Sequence, residues 1–149
     1  MIRSILMGLV AGQRSMIPLA ATAAAARNGT LPKGAPLERL IGHPLIAGGT
    51  VALAAAEMAG DKMKTAPDRI VPLGLIARTL TSAYAGAALA PRGSRVAGGA
   101  VAVVTAIGAS YVGWRLRCAA MKRYGQTATG AVEDALVLGS GLGVALAPR

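Results

Sequence analysis

The sequence predicts an all-α membrane protein, a polytopic helical bundle of about five segments with an internal two-span duplication. Residues 96–114 include no charged side chain, and the basic residues Arg115 and Arg117 follow them. As a helix with a rise of about 1.5 Å per residue, this stretch is about 28 Å long, close to the roughly 30 Å hydrocarbon thickness of a bilayer. With 54% hydrophobic residues and a mean hydropathy of +0.53, the chain is too apolar for an ordinary small soluble domain.

Five apolar segments follow one another in a single transmembrane domain, residues 1–149. They are about residues 4–26, 41–59, 70–90, 96–114 and 130–147. Gly, Pro and charged residues separate them in predicted loops at residues 27–39, 60–69, 91–95 and 115–124. The first segment is similar to a secretory signal peptide, but Gln13 and Arg14 interrupt its apolar run. We therefore expect the mature protein to keep it.

Two of these segments are similar to each other, which predicts an internal duplication. A shift of fifty residues aligns residues 46–60 with residues 96–110, and both stretches begin with an apolar residue and Ala-Gly-Gly. Arg14 and Ser15 of the first segment align in the same way with Arg78 and Thr79 of the third. The repeats would cover about residues 4–60 and 70–114, with a closing helix at about 130–147.

Small residues recur every fourth position in several segments and predict close helix packing. Such a ridge lets two helix backbones touch, which drives helix association in lipid. The ridges are Gly48, Ala52, Ala56 and Gly60; Gly98, Ala102, Ala106 and Ser110; Ala135, Gly139, Gly143 and Ala147; and the pair Gly8 and Gly12. Because such ridges can also join two copies of the chain, we expect a homodimer.

The predicted topology follows from the odd number of spans, which places the termini on opposite faces. Basic residues then divide eight to six, with Arg3 among the eight on the side of the N-terminus. This weak bias favours the N-terminus and Cys118 inside. We expect a multi-pass protein of the bacterial inner membrane.

The net charge of +10 does not by itself indicate a protein that binds nucleic acid. In a soluble protein it would favour nucleic acid. Here the basic residues lie singly or in small groups between apolar segments, where they set topology and contact anionic lipid headgroups. We expect the lipid bilayer as partner and no nucleic acid. The single cysteine excludes an internal disulfide and a thiolate metal cluster, and we expect no metal and no cofactor.

Arg14 is the first candidate binding residue, because it lies near the middle of an apolar segment. A central Arg costs about 2.5–3.5 kcal/mol on the insertion scale, so this helix must face partners or water rather than lipid. Pro18 has no amide hydrogen and leaves a carbonyl near Arg14 free. A kinked or broken helix that presents a guanidinium group suits an anion or a headgroup, while a structural Arg that bridges helices or snorkels is the equal alternative. The same alternatives hold for Arg78, whose position one third of the way into its segment favours snorkelling slightly more.

The carboxylates form the second group of candidates. Glu57 and Asp61 lie four residues apart, on one helical face, and their duplicated counterparts are Ile107 and Tyr111. Paired carboxylates near a bilayer surface can bind a hard cation, pass protons or hold an Arg. Glu133 and Asp134 are expected in the first turn of the last helix, where acidic side chains favour the helix dipole. Asp68 is expected to cap the third span.

Three motifs carry a resemblance to a known family. They are GLVAGQRSMIP near the start, GDKMKTAPDR after Glu57, and GAVEDALVLGSGLGVALA at the end. Together they resemble a family of small bacterial membrane proteins known only as a domain of unknown function, number four-one-two-six. The most specific residues are Glu57, Asp61, Lys62, Pro67, Asp68, Glu133 and Asp134. Met63 and Lys64 depart from the family pattern in the loop. The resemblance implies a compact helical membrane domain and no established activity.

Two classes of function remain open at the level of sequence. The first is a small transporter or channel for an anionic small molecule, a lipid headgroup or a coupled ion. Arg14 and Arg78 would attract the anion, and Glu57 and Asp61 would accept protons or cations. The second is a non-transporting structural or accessory subunit that packs against partners or lipids. We do not expect an enzyme, because the sequence has no activated nucleophile, no His pair and no phosphate-binding loop, and the single His43 is expected at an interface.

Overall fold

The computed structural model describes residues 1–63 and 70–148, and these residues form helices and connecting turns without a strand. Four helices make up the first part of the chain: α1 (Ile2–Gln13), α2 (Ile17–Arg27), the short α3 (Glu38–Ile41) and α4 (Pro44–Gly60). The second part contains α5 (Pro72–Leu89), α6 (Arg95–Tyr124) and α7 (Gln126–Leu146). A 3-10 turn, Arg92–Ser94, leads into α6. The all-helical fold class is therefore confirmed.

The apolar segments correspond to these helices with several differences, among them the start of α7, which lies at Gln126 instead of about residue 130. The first segment is divided between α1 and α2. The loop predicted at residues 115–124 is wrong, because α6 continues through it to Tyr124. Its residues contain no Gly or Pro, and the charged side chains among them are compatible with a helix in water. The helix ends where Gly125 adopts a φ of 80°, a left-handed value that suits glycine.

α1 and α2 form a helical hairpin instead of one kinked span. At the start of α1, the Arg3 guanidinium donates to the Ala147 carbonyl at the end of α7. Just after α2, the Thr30 hydroxyl donates to the Ala145 carbonyl at 3.3 Å. Arg14, at the turn between the two helices, contacts Asp134 instead. Since Asp134 lies about 17 Å along α7 from Ala145 at 1.5 Å per residue, α2 must return to the end from which α1 began.

This hairpin corrects the predicted topology. The contact of Arg3 with the end of α7 places both chain termini at one end of the molecule, so the expectation of termini on opposite faces is wrong. Moving Arg3 to the other group also changes the division of basic residues from eight and six to seven and seven. An equal division favours neither orientation.

Glycines bring α6 into backbone contact with α1 and α5. A Cβ atom at Gly12 of α1 would lie 2.5 Å from the Cβ of Ala109, and one at Gly98 of α6 would lie 2.8 Å from the carbonyl oxygen of Gly86 in α5. Ala102 and Ala106 are buried between the same helices. The ridge predicted on residues 98–110 therefore lies at a helix interface, as does the pair Gly8 and Gly12.

The other two ridges do not pack inside the chain. Gly48, Ala52 and Ala56 are exposed on α4, and a Cβ atom at Gly48 would have no atom within 4 Å. Ala135, Gly139 and Gly143 are exposed on α7. The two stretches that align at a shift of fifty residues thus have different environments, because the ridge of α6 is enclosed by α1 and α5 while that of α4 faces outward.

Two helical stretches among the described residues are long and apolar enough to cross a membrane. One is residues 92–124, which include α6 and the turn before it, and the other is α7. Only 28% of the most apolar part of each is buried inside the protein. Both differ in this respect from the core helices of a soluble domain, which are mostly buried.

Candidate functional site: the charged tip of the hairpin

The hairpin turns at Arg14, and local chemistry fixes the turn. Arg14 adopts an extended conformation, with φ −138° and ψ 118°, and this ends α1. Pro18 lies in the first turn of α2, where its missing N–H is no loss and its fixed φ favours a helix. Pro18 therefore starts a new helix instead of kinking one, which corrects the predicted kink. The predicted break near Arg14 is present.

Glu57 caps the first turn of α2 from the end of α4. One carboxylate oxygen accepts hydrogen bonds from the backbone N–H and the hydroxyl of Ser15, both at 2.8 Å. The other oxygen accepts from the backbone N–H of Met16, also at 2.8 Å. A carboxylate at this position satisfies backbone donors that no helical carbonyl can reach, and it faces the positive end of the α2 dipole.

Arg78 approaches the other side of the same turn. Its Nε donates to the carbonyl oxygen of Gly12 at 3.3 Å, at the end of α1, and its side chain is buried. The last carbonyls of a helix carry a partial negative charge, which favours a cation. Each half of the broken helix therefore ends against a side chain of the opposite sign, Arg78 at the end of α1 and Glu57 at the start of α2.

Arg14 itself is buried at the tip, with 1% of its side chain exposed. Its Nη2 donates to a carboxylate oxygen of Asp61 at 2.6 Å, and its Nε donates to Asp134 at 2.8 Å. The two acids come from the end of α4 and the middle of α7, so the tip of the hairpin joins both helices.

The ion pairs continue outward from Arg14 in both directions. Asp61 also pairs with Arg117 of α6 at 2.5 Å, and Arg117 pairs in turn with Glu133 at 2.8 Å. On the other side, the Lys62 ammonium donates to the second oxygen of Asp134. The result is a row of alternating charges, called here the charge chain: Lys62, Asp134, Arg14, Asp61, Arg117 and Glu133.

Because the charge chain is largely buried, its stability depends on every one of its ion pairs. Each charge in the chain loses hydration, and the attraction between neighbours offsets that loss only while every link is kept. Within the described part of the protein, the three cations and three carboxylates of the charge chain are equal in number, so these six side chains together carry no net charge. Removing a member from the middle of the row leaves an excess charge with little access to water.

The structure brings most of the predicted candidates together and assigns them different partners. Glu57 and Asp61 do not form a joint site, because Glu57 binds the turn at Ser15 and Asp61 binds two arginines. The helix-dipole interpretation of Glu133 and Asp134 is wrong. α7 begins at Gln126, which leaves both acids beyond its first turn and paired with cations. The predicted cap Asp68 lies outside the described residues.

Sequence reasoning missed Arg117 and Gln126. Arg117 lies in a stretch predicted as a loop, and Gln126, whose amide donates to the Asp61 carbonyl at 3.2 Å, belongs to none of the predicted segments or motifs. A usable signal was present, because residues 115–124 contain no helix breaker before Gly125. Extending the predicted helix through these residues would have placed Arg117 about one turn after Trp114, with its side chain directed toward the bundle.

Comparison with known proteins adds no further constraint on the site. No protein family, curated protein or solved structure matches the chain. The resemblance to the family of small bacterial membrane proteins stays a prediction.

Proposed function

We propose that this chain is a multi-pass inner-membrane protein in which α1 and α2 form a re-entrant hairpin, and that it transports a small anion together with a proton. The observation that carries the proposal is the charge chain at the hairpin tip, where buried arginines are held by carboxylates. Ionisable groups within a membrane segment are costly and mark ion or substrate pathways. Discontinuous helices are a recurring way to build such sites.

The membrane location is supported by the outer surface of the helices. Large apolar side chains are exposed along α4, α5 and α6, including Leu45 at 80%, Leu73 at 78% and Val104 at 72%. Water would make such a surface unfavourable over several helices, whereas lipid would not. The helices of the hairpin are too short to cross a bilayer. They pack against α4–α7, and α1 leaves an apolar face exposed at Ile2, Ile5 and Leu9.

The arrangement of Asp61 suggests how proton and anion would be coupled. Its carboxylate binds both Arg14 and Arg117. One proton added to this group would weaken its hold on both guanidinium groups at once. The two cations could then bind an anion in its place, and loss of the proton would restore the pairs and expel the anion.

Flux measurements in proteoliposomes test this proposal. An imposed inward pH gradient is expected to drive uptake of a small anion, with chloride, nitrate and phosphate as separate probes, and the lumen should acidify in step. Asp61→Asn removes the titrating carboxylate and should abolish the dependence of uptake on the pH gradient. Glu38→Gln, which changes a carboxylate outside the charge chain, should behave as the parent. Absence of pH-driven flux for all three anions would contradict the proposal.

A second candidate, a non-transporting accessory subunit, is favoured by the exposed ridges. Gly48, Ala52 and Ala56 present an open backbone surface on α4, of the kind that associates closely with another helix in lipid. The charge chain would then serve only to join the helices. In that case the protein should purify with a stoichiometric partner, or as a homodimer, and show no flux.

A further inference from the structure

Two cavities meet at the end of α2 that lies away from the charge chain. The first is a polar pocket of about 660 Å³, lined by Ala26, Arg27, Glu38, Arg39 and Gly42. The second is a groove of about 330 Å³ between α2 and α4, with Ala20, Ala23 and Ala24 on one wall and Ala47, Gly48 and Val51 on the other. Arg27 lines both cavities, so the polar pocket adjoins the apolar groove.

The polar pocket contains charges of both signs that are not paired with each other. Arg27 and Arg39 are exposed, and Glu38 is half-buried. Among the described residues, no salt bridge involves any of these three side chains. Arg27 donates only a long hydrogen bond, of 3.4 Å, to the Gly42 carbonyl. The pocket therefore matches a ligand that carries an anionic group for the arginines and a cationic group for Glu38.

The adjoining groove is open and apolar because small residues form its walls. A Cβ atom at Gly48 would have no atom within 4 Å, and Ala24 on the opposite wall is only partly buried. The groove extends over residues 44–51 of α4, about 11 Å at 1.5 Å per residue. A hydrocarbon chain fills such a groove, whereas a small water-soluble zwitterion in the pocket would leave the groove uncovered.

The order of the two cavities matches the order of headgroup and chain in a bilayer leaflet. Glu38 and Arg39 precede α4, and the large apolar side chains exposed on α4 begin with Leu45 and continue with Val51, which are 80% and 58% exposed. In the membrane location proposed above, the charged pocket lies at the level of the headgroups. The groove then lies within the hydrocarbon, of which one leaflet is about 15 Å deep.

We infer that the two cavities bind a phospholipid whose headgroup carries a primary ammonium group. Its phosphate contacts Arg27 and Arg39, its ammonium contacts Glu38, and one acyl chain lies between α2 and α4. A primary ammonium donates hydrogen bonds to a carboxylate, whereas a trimethylammonium group has no N–H to donate. The inference rests on the membrane location proposed above but not on transport, because the site and the charge chain lie at opposite ends of α4.

Native mass spectrometry of the purified protein with added phosphatidylethanolamine, phosphatidylglycerol, phosphatidylcholine or diacylglycerol tests the inference. The parent is expected to retain phosphatidylethanolamine in preference to the other three. Arg27→Gln and Arg39→Gln should each reduce this retention by about tenfold, the worth of a hydrogen bond to a charged group. Lys33→Gln changes an exposed cation that does not line the pocket, and it should leave retention unchanged. Glu38→Gln should remove the preference for phosphatidylethanolamine over phosphatidylglycerol.

A matched pair of glycines tests the groove. Gly48 and Gly49 are both exposed on α4, and a Cβ atom at either would have no atom within 4 Å. Only Gly48 lines the groove. Gly48→Leu should therefore place a bulky side chain in the groove and reduce retention of phosphatidylethanolamine by about tenfold or more, on the same scale as the arginine variants. Gly49→Leu should retain the lipid as the parent does.

Other outcomes would overturn the inference. Equal retention of phosphatidylcholine, or preferred retention of phosphatidylglycerol, would show that Glu38 does not select the ammonium group, and equal retention of diacylglycerol would show that the arginines do not hold the phosphate. Equal effects of Gly48→Leu and Gly49→Leu would show that the groove is not the site. A dimer that dissociates in Gly48→Leu would assign the groove to a second copy. If the protein instead stays in aqueous solution without detergent, the membrane location itself fails, which is a separate result.

Discussion

At the scale of single residues, the charged side chains have two different tasks. Glu57 completes the hydrogen bonding of the turn that starts α2, and its partners are backbone and hydroxyl groups of Ser15 and Met16. The members of the charge chain bind one another across four separate parts of the chain. Substitutions in the two groups should therefore have different consequences for stability.

Glu57→Gln is expected to weaken the turn without disrupting the charge chain. The amide keeps one acceptor oxygen but cannot accept from both Ser15 and Met16, and it no longer opposes the α2 dipole with a full charge. Loss of a helix cap costs about 0.5–2 kcal/mol. The free energy of unfolding in detergent should fall by that amount, while Glu38→Gln should have little effect. A loss as large as that caused by Arg14→Gln would show that Glu57 balances a buried cation instead.

Position along the charge chain should determine how much each of its members matters. Arg14→Gln removes a buried cation with two carboxylate partners, and breaking such a buried network costs about 3–5 kcal/mol. Lys62 is a terminal member with 30% of its side chain exposed, so Lys62→Gln should cost about 0.2–1 kcal/mol.

A double variant tests whether the loss of charge balance is what destabilises Arg14→Gln. Arg14→Gln combined with Asp134→Asn restores the charge balance, and it should unfold at higher denaturant concentration than Arg14→Gln alone. Similar losses for Arg14→Gln and Lys62→Gln, with no recovery in the double variant, would show that the charges act independently.

At the scale of helices, ridges of the same composition differ in what surrounds them. Ala102 of α6 is fully buried where α6 meets α1 and α5, whereas Ala52, its counterpart in the aligned stretch, is exposed on α4. A pattern of small residues every fourth position predicts that a helix can pack closely. It does not contain information about whether the partner belongs to the same chain.

Substitution of these two alanines should therefore separate internal packing from association. Ala102→Leu overpacks a backbone contact and should lower the free energy of unfolding by about 1–3 kcal/mol. Ala52→Leu should leave the unfolding of the monomer unchanged. If α4 associates with another subunit, Ala52→Leu should also reduce the oligomer seen by size-exclusion chromatography in detergent. A large loss of monomer stability in Ala52→Leu would contradict the exposed position of this ridge.

The sequence was sufficient to locate the apolar helices, the break at Arg14 and most of the charged residues near it. Length, apolar runs and the cost of a central Arg are local properties, so they can be recognised without a structure. The direction of the chain after Arg14 could not be predicted in this way. Apolar composition is the same whether residues 17–27 continue a span or fold back, and only contacts such as Thr30 with Ala145 distinguish the two.

At the scale of the whole molecule, the hairpin determines which ends of the helices share a face. It places the start of α1, the end of α2 and the end of α7 together, and it directs Arg14 toward the opposite half of the bundle. The proposed transport and the orientation of the protein both depend on this geometry. The topology of the first two helices is therefore the central structural claim.

Single-cysteine labelling tests this topology most directly. In a Cys118→Ser background, Ile2→Cys and Asn28→Cys place exposed thiols at the start of α1 and just after α2, and Lys122→Cys places one at the far end of α6. A membrane-impermeant maleimide applied to one side of oriented vesicles, with permeabilised vesicles as the control for reactivity, should label positions 2 and 28 from the same side and position 122 only from the other. Labelling of positions 2 and 28 from opposite sides would show that the first segment crosses the membrane and would contradict the hairpin.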